Sequence, residues 1–223
     1  MTQSTDLDMV EFADNPEPRC PCILLLDTSG SMQGEKIDAL NAGLRTLKEY
    51  LMDDPLAVKR VEVAVITFDS SVKVVHDFVT ADNFDPPTLT ATGMTHMASG
   101  IHKALDMLRE RKAVYKSNGV AYYRPWVMLI TDGEPQGESD EIVQRAIQRL
   151  KQEENDRRVV FFAVGVVGAN MTKLTEIAVR TPIKLTGLNF KEMFVWLSAS
   201  MSTVAQSRID DQVALPPPGW GSV

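Results

Sequence analysis

Three oxygen-bearing side chains, Asp27, Ser29 and Ser31, follow directly on the apolar run Ile23-Leu24-Leu25-Leu26 in the segment CILLLDTSGSMQG. A second apolar run, in WVMLITDG, also closes on an acid, Asp132, and the stretch TATGMTHMASG sets Thr95 ahead of a helical pattern. If the two acids end neighbouring strands, five oxygen donors, two of them charged, meet at one rim. Hard divalent cations take oxygen ligands, and Mg²⁺ in particular binds through one or two carboxylates and keeps some of its water. Nothing soft is offered, which disfavours zinc and copper. Two carboxylates among neutral donors leave a bound cation electron-poor and open to one more carboxylate from outside. The expected cofactor is therefore Mg²⁺, with Mn²⁺ or Ca²⁺ as substitutes, and its affinity should fall as the carboxylates are protonated.

Each of these residues also has a plainer use. Asp27, Ser29 and Ser31 can form a turn and cap the next helix, and Thr95 can cap the helix it precedes. Capping does not account for three alternating oxygens matched by a distant acid. Thr92 is the alternative donor in the loop of Thr95. His96 reads as an exposed loop histidine and Glu134 as a solvated charge near the rim. Met32, Met94 and Met97 fit either an adaptable contact surface or packing within the loops.

The elements that must position this set are legible in the hydrophobic pattern. Residues 20–27 form a continuous apolar strand, as expected of one buried on both faces. Ile37, Leu40, Leu44, Leu47 and Leu51 recur at helical steps over about 35–52. RVEVAVITF and SVKVVHDF, separated by a short turn, predict an antiparallel edge hairpin. The Thr-, Pro- and Asp-rich stretch 79–96 predicts a long loop, and Ile101, Ala104, Leu105 and Leu108 a helix over about 96–111. Strands at WVMLIT, RVVFFAVGV and PIKLT then alternate with helices on Ile142 to Leu150, about 171–180 and about 189–205. This alternation predicts an α/β domain: a three-layer, doubly wound, mostly parallel sheet with one antiparallel edge hairpin strand. The expected boundaries are an acidic N-terminal extension at 1–18, the domain at 19–206 and a Pro-rich tail at 207–223, extended or disordered.

Composition narrows the partners. Twenty-three Lys and Arg against 30 Asp and Glu give a net charge of −7, which argues against nucleic acid as the main partner. No apolar run reaches the ~18 residues of a membrane span, and the acidic first residues do not read as a secretory signal. Cys20 and Cys22 read as small residues at a strand start, not as a disulfide or a metal pair. Without a disulfide framework a reducing cytoplasm is the expected location.

The motifs DTSGS, GMT and TDG together resemble the von Willebrand factor type A domain over about residues 20–205. The resemblance implies a metal-ion-dependent adhesion site. Asp27, Ser29 and Ser31 would form its Asp-x-Ser-x-Ser motif, Thr95 the loop ligand and Asp132 the last acid, which in the family often reaches the metal through water. Within the family, RCPCILLLDTSGSM is similar to the bacterial TerY-like proteins of tellurium-resistance and stress operons. Some of those carry a cysteine-rich zinc module where this chain has LPPPGWGSV.

The expected function is a Mg²⁺-dependent protein-binding module, the ion bridging to an acidic residue of a partner, with no catalytic residues. The alternative is a Mg²⁺-dependent phosphatase or phosphoacceptor enzyme. Against it, Ser29 stands where a second Asp would follow Asp27. No lysine completing a phosphate site is evident, no GxxxxGK[ST] loop occurs, and no base is nominated for Ser29. A third reading is a scaffold with a vestigial site, disfavoured because all five donors are present.

Overall fold

The computed structural model describes residue 12 and residues 14–222. Of the N-terminal extension, residues 1–11 and 13 lie outside the described residues. The chain alternates strands and helices. β1 (Cys20–Asp27) leads through a short 3₁₀ turn at Gly30–Met32 to α1 (Glu35–Met52) and α2 (Ala57–Arg60). β2 (Val61–Phe68) and β3 (Val72–Thr80) precede the long loop, and α3 (Met97–Ser117) and β4 (Trp126–Thr131) follow it. The remaining elements are α4 (Asp140–Asn155), β5 (Val160–Gly165), α5 (Met171–Ile177), β6 (Ile183–Leu185), α6 (Phe190–Gln206) and β7 (Gly221–Ser222).

The sheet has the order β3-β2-β1-β4-β5-β6-β7. β2, β1, β4, β5 and β6 run parallel, while β3 and β7 pair antiparallel at the two edges. The strand order reverses at β1/β4, and in open α/β sheets that is where a crevice opens beyond the carboxyl ends of the strands. Asp27 is the last residue of β1, and Asp132 follows the last residue of β4.

The unbroken apolar runs exist because alternate residues serve two cores. Leu24, Leu26, Val63, Val65, Met128 and Ile130 pack with α1 and α6 on one face. Ile23, Leu25, Ala64, Ile66, Val127 and Leu129 pack with α3, α4 and α5 on the other. Where α1 crosses α6, Gly43 sits against Phe194, and a Cβ there would come within 2.6 Å of the ring. Gly43→Ala is therefore expected to destabilise by about 1–3 kcal/mol through overpacking, although alanine is the better helix former. Thermal unfolding would show a drop of about 2–4 °C per kcal/mol for a domain of this size.

Two elements depart from the pattern-based expectation. α3 runs on to Ser117 because Tyr115 is fully buried against Glu62, a contact made across 53 residues. The tail is docked at its end: Trp220 is buried with its ring 5.6 Å from Trp196, and Gly221 and Ser222 add β7 to the sheet. Burial of a large aromatic surface and a pair of strand hydrogen bonds offset the entropy of ordering a proline-rich segment.

Candidate metal centre

β1 and β4 are adjacent and in register up to Leu26 and Ile130, so the residues that follow emerge side by side. Asp27 is completely buried. Its Oδ1 accepts the Ser29 backbone N–H at 2.8 Å and its Oδ2 accepts the Thr131 hydroxyl. Burial pushes the Asp27 carboxyl above its ordinary value; hydrogen bonds from Ser29 and Thr131 pull it back, and the Asp132 charge adds a smaller upward push. A buried carboxylate that ionises only at a cost is suited to a cation.

The hydroxyls form a chain above it. Ser29 Oγ lies 3.1 Å from Ser31 Oγ, which donates to Asp132 Oδ1 at 2.6 Å. Thr95 closes the ring from the opposite side. A Cβ placed on Gly133 would stand 3.7 Å from Thr95 Oγ1 and 3.9 Å from Asp27 Oδ2, so a single point lies close to both oxygens. All five anticipated residues thus gather around one rim. A cleft of about 280 Å³ opens above them, lined by Ser29, Ser31, Thr95, Asp132, Glu134 and Asn170, among others. Asp27 lies buried behind this lining, next to Gly133.

The long loop carrying Thr95 is fixed at several places. Asn41 on α1 bonds both backbone groups of Leu89, donating to the carbonyl at 2.9 Å and accepting the N–H at 2.8 Å. Thr92 N–H donates to the Thr28 carbonyl, Gly30 N–H to the Gly93 carbonyl and His96 N–H to the Asp69 carbonyl. Gly93 has φ of +78°, and a Cβ there would strike Ser70 Oγ at 2.5 Å, so this turn requires glycine. On the far side, Gln136 N–H donates to the Thr95 carbonyl, and Glu138 accepts the Ala98 and Ser99 N–H groups at the start of α3. That carboxylate satisfies two orphan donors and complements the helix dipole. The loops of Thr95 and Asp132 are therefore locked to each other.

The neighbouring residues sort themselves. Thr95 is buried at the site, whereas Thr92 is exposed and takes part through its backbone. Met32 and Met97 are core residues, while Met94 stands 48% exposed beside the cleft. Glu134 is exposed and accepts a hydrogen bond from Asn170 at 3.0 Å. Lys36, which sequence reasoning missed, donates from its ammonium to Asp132 Oδ2 and to the Ser31 carbonyl. Its only sequence signal is its place, five residues after Ser31 on the first turn of the next helix. Among the described residues no group of three or more His, Cys, Asp or Glu is arranged to hold a metal. A centre here would depend on hydroxyls for more than half of its protein ligands.

The family model described as von Willebrand factor type A domain matches residues 22–192. Among solved structures, a von Willebrand factor type A protein from Catenulispora acidiphila superposes with a TM-score of 0.66 at 19% identity, over 83% of this chain and 43% of that one. Proximal thread matrix protein 1 from the mussel byssus, solved with a zinc-occupied MIDAS motif, gives 0.58 at 18%, over 83% and 48%. The pilus adhesin SpaC from Lactobacillus rhamnosus GG gives 0.65 at 14%, over 84% and 30%. This chain thus spans less than half the length of each. At such identities the likeness is one of fold. No match was found among curated protein sequences.

Proposed function

The chain belongs to the von Willebrand factor type A domain family, and from that premise we propose that it is a protein-binding module working through a divalent cation, Mg²⁺, held by Asp27, Ser29, Ser31, Thr95 and Asp132. Domains of this family are often metal-dependent interaction modules. The observation that carries the reading is the convergence of five oxygens from three loops beneath one open cleft. The donor set fits a hard cation: it is all oxygen, it holds two carboxylates, and the missing Cβ of Gly133 leaves space between Thr95 and Asp27. When bound, the ion supplies a positive, incompletely satisfied centre for an external carboxylate. The protein's own part is to hold the donors rigid, through Thr131 on Asp27 and Ser31 on Asp132, and to keep the cleft open.

The partner is accordingly a protein that presents Asp or Glu. We place the module in a bacterial tellurium-resistance or stress-response complex, on the resemblance of RCPCILLLDTSGSM to TerY-like proteins. Its location is taken as the cytoplasm, in keeping with two free, buried thiols, Cys20 and Cys22. No helix among the described residues is long and apolar enough to cross a membrane. An enzymatic role is not proposed. The Ser29 hydroxyl pairs with that of Ser31, and the Ser31 hydroxyl is engaged by Asp132, so the hydroxyls of the cleft are committed to the donor ring.

Affinity capture from native lysate, with Mg²⁺ and again with EDTA, tests the reading. A retained protein released by EDTA is the expected result; retention indifferent to chelation would refute it.

A further inference from the structure

We propose that Lys36 is the site's resident counter-cation: its ammonium shares Asp132 with the divalent ion and sets how tightly that ion is held. The inference rests on the metal reading above and deepens it.

Asp132 has no exposed side-chain surface, and its two oxygens are divided. Oδ1 accepts the Ser31 hydroxyl, and Oδ2 accepts the Lys36 ammonium. The lysine side chain is only 24% exposed, and its ammonium is held at a second point by the Ser31 carbonyl at 3.2 Å. A Cβ on Gly168 would lie 3.8 Å from Lys36 Nζ and 3.7 Å from the Asp132 carbonyl, so the loop after β5 covers the pair. The ammonium is thus fixed beside the ring and is not a mobile surface charge.

Its position is otherwise unfavourable. Lys36 is on the first turn of α1, where the helix dipole favours acids, and Glu35 and Asp38 follow that preference. A cation placed there, next to a site for cations, requires compensation, and Asp132 supplies it. Counted over Asp27, Asp132 and Lys36, the fixed charge of the cleft is −1 where the carboxylates alone would give −2. Without a divalent ion, Lys36 relieves the repulsion between the two carboxylates. With one, it weakens the hold on the ion by like-charge repulsion and leaves more of the ion's charge for an outside carboxylate. Screening is reduced because the group is largely covered.

The test is a calorimetric titration of the full chain with Mg²⁺ alone, for the wild type, Lys36→Met and Lys36→Arg, with thermal unfolding of each metal-free protein. Lys36→Met should bind Mg²⁺ about tenfold tighter, in the range by which outer-shell groups shift metal affinity. Metal-free, it should unfold at lower temperature than the wild type, and saturating Mg²⁺ should raise that temperature by more. Lys36→Arg, which keeps the charge, should stay within a few-fold of wild-type affinity, a rescue that a packing role would not require. If Lys36→Met does not fold, Lys36→Gln carries the same expectations. Wild-type binding with unchanged or weaker binding by the neutral variants overturns this role alone. Folded wild type and variants that all take up no Mg²⁺ overturn the metal reading and this role with it.

Discussion

Asp27→Asn is expected to lower Mg²⁺ affinity by roughly a hundredfold or more, beyond what loss of an outer-shell partner costs, while the domain stays folded. The substitution removes one of two charged donors but keeps the shape. An amide oxygen can still accept the Ser29 N–H, and the Thr131 hydroxyl, which already accepts the Gly133 N–H at 3.0 Å, can reorient towards the new NH₂. Because burial raises the Asp27 carboxyl, the metal-free folded protein holds that proton more tightly than the unfolded chain does. This contribution to stability is present at low pH and is lost as pH rises from the ordinary carboxylate range through the raised value. At neutral pH the ionised Asp27 therefore costs stability that a bound cation offsets. The metal-free Asp27→Asn variant should match or exceed wild-type stability there, and should gain much less from Mg²⁺ than the wild type does. Calorimetry and thermal unfolding with and without the ion read both effects. Lowering the pH towards the raised value should weaken Mg²⁺ binding by the wild type.

The second large effect lies at the other end of the sheet. Glu62→Ala is expected to destabilise by about 3–5 kcal/mol, the cost of removing one member of a buried ion pair. Glu62 and Arg19 have no exposed side-chain surface and meet at 2.9 Å. Arg111 donates to both Glu62 oxygens at 2.9 Å, and the Tyr115 hydroxyl donates to Oε2. The ring of Phe12 lies 5.2 Å from both guanidinium carbons. Deleting the carboxylate leaves Arg19 charged and buried without its counter-ion. That loss is a large part of the total stability of an ordinary domain, about 5–15 kcal/mol. Urea unfolding should show the midpoint falling; a change below about 1 kcal/mol would mean that water or the Phe12 ring compensates. The Mg²⁺ affinity of the remaining folded protein should not move, because Glu62 stands at the start of β2, at the end of the sheet opposite to the cleft.

Much of this architecture was legible from residue order. Period-two and period-three-to-four hydrophobicity reports local burial, and burial on two faces leaves the continuous runs of β1 and β4. The strand ends then carry Asp27 and Asp132 to the rim without further information. Ser29 and Ser31 follow because the short turn from β1 has little freedom, whereas Thr95 arrives on a long loop held by partners distant in the chain. Longer-range pairing left no such trace. The end of α3, the docking of Trp220 on Trp196 and the cluster around Glu62 each depend on partners tens of residues away, and no periodicity encodes them. Lys36 is the sharpest case. In the chain it is one charged residue on the first turn of a helix; only the packing of β4 beside β1 sets Asp132 within reach of its ammonium. Local sequence determined which oxygens arrive at the rim, because side-chain direction along a strand or helix is fixed by backbone geometry. The tertiary structure decided the electrostatics of the cleft, because charge interacts through space and the neighbours that matter there are distant in the chain.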